Sequence, residues 1–237
     1  MDLLDRLALL SPLDAAAVLL LLAASAAIGW WIERPAAARP SVTVLMAQYR
    51  RDWMVEMVTR EPRIFDATIL GSLRQGTSFF ASTCVIAIGG VLALIGNAER
   101  LAGVAADLTA SEVPLAIWEL KLGLVALILT NAFLKFVWSN RLFGYCAVVM
   151  AAVPNAPDHP LAYPRAAQAG ELNVRAAWNF NRGLRSMYFA LAALAWLLGP
   201  AALILATALT LWLLWSREFL SRPREVLMEE GPGTPEP

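Results

Sequence analysis

Charge is scarce in this chain of 237 residues: Asp, Glu, Lys and Arg make up 16% of it, against roughly 25% in an ordinary soluble domain. The charges balance, 19 basic against 19 acidic, so there is no basic surplus to attract nucleic acid. Lysine is rarer still, with Lys121 and Lys135 alone against 17 Arg. The single histidine, His159, sits between Asp158 and Pro160, and no second His exists to complete a metal site. Cys84 lies in an apolar run and Cys146 in a juxtamembrane stretch, which gives neither a disulfide framework nor metal spacing. There is no HExxH, no nucleophile elbow and no glycine-rich phosphate cradle, and no internal repeat. These absences leave no residue to nominate as catalytic, cofactor-binding or metal-binding. Enzyme chemistry finds little support here, with a membrane enzyme using acids alone as the remaining alternative, and no cofactor is expected.

What the chain has is hydrocarbon. Hydrophobic residues make up 59% and the mean hydropathy is +0.58. Apolar runs near residues 12–32, 77–96 and 115–138 are each long enough to cross ~30 Å of hydrocarbon as a helix. The first is preceded by Asp2, Asp5 and Arg6 rather than by a basic segment, so it reads as an uncleaved helix and not a signal peptide. Trp30 and Trp31 at its end suit a membrane interface. The fourth run, 186–215, would be ~45 Å long as one straight helix, too long without a steep tilt. Gly199-Pro200 in its middle is a strong turn signal. A split there gives two short spans near 184–198 and 201–215; a single Pro-kinked helix is the alternative.

The placement of arginine bears on the count. Seven Arg lie in segment 33–76, five in 139–185 and three after Trp215, while the stretch 97–114 holds only Arg100. With five spans, fifteen Arg share one side and only Arg6 and Arg100 the other; with four, the contrast falls to twelve against five. Basic residues collect on the cytoplasmic side, so five spans fit better, with the N-terminus outside and the C-terminus in the cytoplasm. The abundance of Ala and Arg suggests a high-GC bacterial genome, and hence the bacterial inner membrane. The expected fold is all-α: a polytopic integral membrane protein, a bundle of four to five transmembrane helices with cytoplasmic amphipathic helices. One membrane domain would cover residues 1–225, with cytoplasmic segments at 33–76 and 139–183 and a disordered Pro/Gly/Glu-rich tail at 226–237.

In the first cytoplasmic segment Val42, Leu45, Met46, Tyr49, Trp53 and Met57 recur at helical spacing behind Ser41, a good N-cap. Such a helix either lies in the interface plane or packs on other cytoplasmic helices. Glu61-Pro62 breaks it, and a new helix is expected from Arg63 into the second span. Pro154, Pro157, Pro160 and Pro164 make a stiff loop after the third span. From Arg165 an Ala-rich helix carries Asn173, Arg175, Asn179, Asn181, Arg182 and Arg185 towards the fourth.

Several stretches together resemble one family: Arg50-Arg51-Asp52-Trp53-Met54, Arg63-Ile64-Phe65-Asp66, Ser78-Phe79-Phe80-Ala81-Ser82-Thr83, Trp118-Glu119-Leu120-Lys121, Lys135-Phe136-Val137-Trp138-Ser139, Phe180-Asn181-Arg182-Gly183-Leu184-Arg185 and Trp196-Leu197-Leu198-Gly199-Pro200. The chain resembles the domain of unknown function 599 family over nearly its whole length. The resemblance implies a multi-span membrane protein and brings no functional residue with it.

Three groups of residues are candidates for function. Lys121, Asn131 and Lys135 fall within roughly 80° on the third span, with Glu119 pointing elsewhere; intramembrane charge is costly, so such a stripe either lines a pathway or anchors and packs the helix. Ser78, Ser82, Gly89, Ala93 and Gly96 form a small-residue helix-packing seam on the second span. Asp66, Arg74, Arg141, Asn181, Arg182 and Arg185 gather at one cytoplasmic depth, where Arg and Asn can bind an anionic headgroup. There Asp66 is expected to pair with Arg63 or with an Arg from another helix, such as Arg182. The leading functional expectation is a non-enzymatic oligomeric membrane or scaffolding protein. A channel or transporter for a small solute or ion is the alternative, and an anionic-lipid-binding protein the third reading. The partners expected are the lipid bilayer, a second copy or other membrane proteins, and no nucleic acid.

Overall fold

The structure is a computed structural model that describes residues 10–34, 39–99 and 114–229; among these every regular element is a helix. Helix α1 (Pro12–Ile32) opens on a capping box, in which the Ser11 hydroxyl accepts from the Asp14 N–H and the Asp14 carboxylate accepts from the Ser11 N–H. It buries Ala17, Leu21, Ala24, Ile28 and Ile32, a stripe at intervals of three and four. The Ser41 hydroxyl accepts from Val44 N–H at the start of α2 (Val42–Glu56) and donates to the Ile32 carbonyl at 2.6 Å. One side chain therefore caps the end of α1 and the start of α2.

A 3₁₀ turn at Met57–Thr59 leads to α3 (Ile64–Gly96), followed by α4 (Leu115–Ala151) and α5 (Ala162–Leu194). At 33, 37 and 33 residues these three are roughly 50–55 Å long, well beyond the hydrocarbon thickness. The core accordingly has two tiers. Leu21, Leu122, Val125, Phe189, Trp196 and Leu203 belong to one; Met54, Met57, Leu142, Phe143, Cys146 and Ala166 belong to the other. Phe80, Phe136 and Phe180 belong to a smaller cluster, Phe80 stacked on Phe136 and both edge-on to Phe180.

Four helical stretches are long and apolar enough to cross a membrane: α1, α3, α4 and the stretch Pro200–Met228. The last comprises α6 (Pro200–Phe219) and the short α7 (Arg222–Met228). Between α5 and α6 the chain passes through a 3₁₀ turn, Ala195–Leu198, and then breaks at Gly199, whose φ of 123° only glycine adopts without strain. Pro200 starts the next helix in a position that needs no N–H donor. Residues 186–215 are thus two helices and not one kinked span. The second half of α5 runs antiparallel to α1: Arg182 and Arg185 meet Glu33 at one end, and the Trp196 indole N–H donates to Asp14 at the other.

Several expectations are corrected. Helix α2 packs on α5, but through Thr43, Ala47 and Met54 rather than the face carrying Met46 and Tyr49, which stays exposed. Gly170 on α5 lies against this face, a Cβ built there standing 3.5 Å from the Arg51 Cα and 3.7 Å from the Met54 side chain. Asp66 pairs with neither Arg63 nor Arg182. It accepts from Arg60 and from the Trp53 indole N–H at 2.7 Å, while Arg63 is occupied by the carbonyls of Val58, Val153 and Pro154. Residues 226–228, expected to belong to a disordered tail, are instead the end of α7, which continues through Met228 with Arg224 donating to the Pro40 carbonyl. Residues 230–237 lie outside the described residues, as do Arg6 and Arg100.

Candidate functional site: a groove beside helices α1, α4 and α5

Helix α4 packs along α5, and α1 along α6 and the second half of α5. A groove remains between α1 and α4, with α5 as its floor. At the end where Glu33 lies it forms a cavity of about 290 Å³ lined by Glu33, Lys135, Arg182 and Arg185, with Ser25, Asn131, Ser186 and Phe189 below them. Those last four residues also line a second cavity of about 380 Å³, whose other walls are Leu21, Leu22, Leu124, Leu127 and Ile128. The two spaces are continuous through shared residues, charged at one end and aliphatic at the other. Leu22 and Leu127 are 45% and 70% exposed, so the aliphatic end opens sideways, towards the hydrocarbon of a surrounding bilayer.

The charged end is built around Glu33, one residue past the end of α1. Arg182 Nε donates to both of its carboxylate oxygens, at 2.9 and 3.1 Å, and Arg185 Nη2 donates to Oε1. Arg182 and Arg185 stand three apart on α5 and so reach the same acceptor. The Arg185 guanidinium passes close to Gly29 on α1, its Nε 4.0 Å from a Cβ built there. Burial pushes the Glu33 carboxyl up, but the hydrogen bonds and charge of Arg182 and Arg185 outweigh it and hold the group below the usual glutamate range. Lys135 completes the wall from α4 and has no hydrogen-bond or ion-pair partner among the described residues. Glu218 on α6, whose two oxygens accept from the Thr43 N–H and hydroxyl, adds a second carboxylate behind Arg185. Counting Lys135, Arg182 and Arg185 against Glu33 and Glu218, the surplus is one positive charge.

The stripe read on the third span is divided. Lys135 and Asn131 face the groove, with Asn131 donating to Ser186 at 2.9 Å. Lys121 is buried near the far end of α4, its ammonium 5.8 Å from the Trp118 ring and 5.7 Å from the Trp196 ring. Glu119 is half-buried close to the start of α4. The cytoplasmic set divides too. Asn181, Arg182 and Arg185 sit together on α5; Arg141 donates to the Tyr145 hydroxyl beside the Trp138 ring. Arg74 lies exposed over Gly144, and Asp66 is enclosed at the foot of α3. The small-residue seam of Ser78, Ser82, Gly89, Ala93 and Gly96 is exposed along its whole length, because α3 meets α4 through Thr77, Cys84 and Val91.

Sequence reasoning missed Glu33 and Ser186 as groove residues. The available signal was a lone acid after Trp30-Trp31 at the end of an apolar run, facing two Arg spaced to share one acceptor.

Fold and site together define a multi-pass α-helical membrane protein with an amphipathic lateral groove. The chain belongs to the family described as Protein of unknown function, DUF599, whose model matches residues 16–223. No curated protein and no solved structure matches it.

Proposed function

We propose that this protein binds an anionic lipid in the groove between α1 and α4. The observation that carries the reading is the Lys135 ammonium, which has no partner among the described residues and lines, with Arg182, the mouth of a groove that continues into exposed leucines. A phosphate headgroup would meet Lys135 and the outer edge of Arg182, which is 41% exposed, as charge-assisted hydrogen bonds. An acyl chain would lie along Leu22, Leu124 and Leu127 by van der Waals packing alone, since it comes from hydrocarbon and not from water, so the preference between lipids rests on the headgroup. With five crossings and the Arg-rich side inward, the headgroup end belongs to the cytoplasmic leaflet, where anionic lipids attract basic residues. Native mass spectrometry of the purified protein, offered phosphatidylglycerol and phosphatidylcholine in nanodiscs, tests the reading. Wild type retains phosphatidylglycerol preferentially, and Lys135→Gln loses most of that preference. Equal retention of the two lipids by wild type, or an unchanged preference in Lys135→Gln, overturns it.

A second reading, assembly with another copy through α3, is favoured by one observation: its small-residue seam is unused within the chain. The two readings are compatible, since no residue of α3 lines the groove.

A further inference from the structure

A different cavity, of about 310 Å³, lies between α3 and α4. Several of the residues that line it are small: Ala67 and Gly71 on α3, Ala147 and Ala151 on α4. Each pair is four residues apart and so shares a helix face, and side chains of that size leave the space between the two helices open. The buried Met57, Leu70 and Met150 line it as well. Every lining residue from α3 precedes Thr77 and every one from α4 follows Trp138, the ends of their apolar runs. The cavity thus belongs to the parts of α3 and α4 that exceed the hydrocarbon thickness, where a ligand arrives from water.

The charged residues of this cavity are two arginines, Arg63 and Arg74, and no carboxylate lines it among the described residues. Arg63 is held by three neutral acceptors, the carbonyls of Val58, Val153 and Pro154. Arg74 has no hydrogen-bond or ion-pair partner among the described residues. Its Nη2 lies 4.0 Å from a Cβ built on Gly144, so the side chain reaches from α3 across to α4. A mainly apolar cavity edged by two cations without a counter-charge is complementary to an organic anion. The guanidinium fork matches a carboxylate or a phosphate, and the apolar lining removes a hydrocarbon body from water.

We infer that this cavity binds a small water-borne organic anion, its carboxylate or phosphate received by Arg74 and its apolar body lying against Met57, Leu70 and Met150. The inference does not rest on the lipid groove, which shares none of these residues. Two variants probe the two ends of the ligand. Arg74→Gln removes the free cation and breaks no hydrogen bond or ion pair among the described residues. A Cβ built on Gly71 meets nothing within 4 Å, so Gly71→Leu grows into open space, and leucine is the better helix former.

The test is isothermal titration and thermal unfolding of the full-length protein in phosphatidylcholine nanodiscs, with empty discs as the blank. The probes are hexanoate, hexyl phosphate, hexanol and acetate. At least one of the two hexyl anions should bind and raise the unfolding temperature, and the tighter of them identifies the anionic group. Hexanol, which lacks the charge, and acetate, which lacks the body, should do neither. Both variants should unfold like wild type. Arg74→Gln should bind the anion roughly tenfold more weakly, the worth of one charge-assisted hydrogen bond, and Gly71→Leu should lose it. If hexanol or acetate binds as well as the hexyl anions, if no probe binds, or if either variant binds like wild type, the inference is overturned. Phosphatidylglycerol retention that falls in Arg74→Gln while hexyl-anion binding persists would give Arg74 to a bilayer headgroup and overturn it too.

Discussion

A Cβ placed on Gly183 would stand 2.8 Å from the ring of Phe136. Phe136 is fully buried, stacked on Phe80 and edge-on to Phe180, so the ring has nowhere to retreat. Gly183 also separates Arg182 from Arg185. The closeness of α4 and α5 at this point therefore sets the floor of the groove and the height of both guanidinium groups. Replacing Gly183 with Ala overpacks the contact and should cost about 1–3 kcal/mol, read as a lower unfolding temperature in detergent. Adding Phe136→Leu should recover part of the loss. A Gly183→Ala protein that unfolds like wild type would mean that the helices do not approach this closely.

The salt bridges of Glu33 give a prediction with a definite pH sign. The native carboxyl titrates below its ordinary value of 4.5. Its stabilisation is therefore complete above that value and is lost as pH falls through the lowered native one. Glu33→Gln should be less stable than wild type at pH 7 by roughly 1–3 kcal/mol, the range for hydrogen bonds to charged groups, nearer the lower end because Arg182 is partly exposed. The gap between the two unfolding curves should be constant near neutrality and close below pH 4.5. A gap that widened in acid would contradict the assignment.

Much of the fold was legible in the sequence because its signals are local. Apolar length marked the spans, Gly199-Pro200 marked the break after Leu198, and Ser41 marked a helix start. The site was less legible because its parts meet only in three dimensions. Lys135 stood out as a rare lysine, and Arg182 and Arg185 as part of a basic stretch. Nothing in the sequence brings Glu33 to them across 149 residues. The buried face of α2 was misjudged for a related reason: hydrophobicity favoured Met46 and Tyr49, whereas packing against α5 buries Thr43, Ala47 and Met54.

Asp66 offers a test of pairing. Its side chain is fully buried, and one carboxylate oxygen takes both the Arg60 guanidinium and the Trp53 indole N–H. Removing a partner leaves a buried charge uncompensated, which costs about 3–5 kcal/mol where both groups are enclosed. Arg60→Ala strands the fully buried Asp66 carboxylate, whereas Asp66→Ala leaves an arginine that is 35% exposed and can be hydrated, so Arg60→Ala should cost more than Asp66→Ala. The two should couple in a double-mutant cycle of chemical unfolding by about 0.5–3 kcal/mol. Asp66 and Arg182 should show additive effects, since Arg182 bonds Glu33 instead. A coupling between Asp66 and Arg182 larger than that between Asp66 and Arg60 would require a different arrangement of the foot of α3.

The exposed seam on α3 separates packing within the chain from packing between chains. Among the described residues, and apart from the chain neighbours and the local helix backbone, no atom lies within 4 Å of a Cβ built on Gly89 or Gly96. Gly89→Leu should thus cost the isolated chain no more than about 0.5 kcal/mol in thermal unfolding, as for surface positions generally. Helix propensity works in its favour, since Gly is about 1 kcal/mol poorer than the best helix formers in a helix interior. In the membrane the same change should act differently. If α3 meets α3 of a second copy, the introduced leucine side chains would hold the backbones apart where small residues had let them touch. Cysteine crosslinking at Ser82, in a background lacking Cys84 and Cys146, should then give a dimer that Gly89→Leu abolishes. Loss of stability in the isolated chain would show instead that Gly89 packs inside the protomer, and a Ser82 crosslink untouched by Gly89→Leu would place the contact elsewhere on α3.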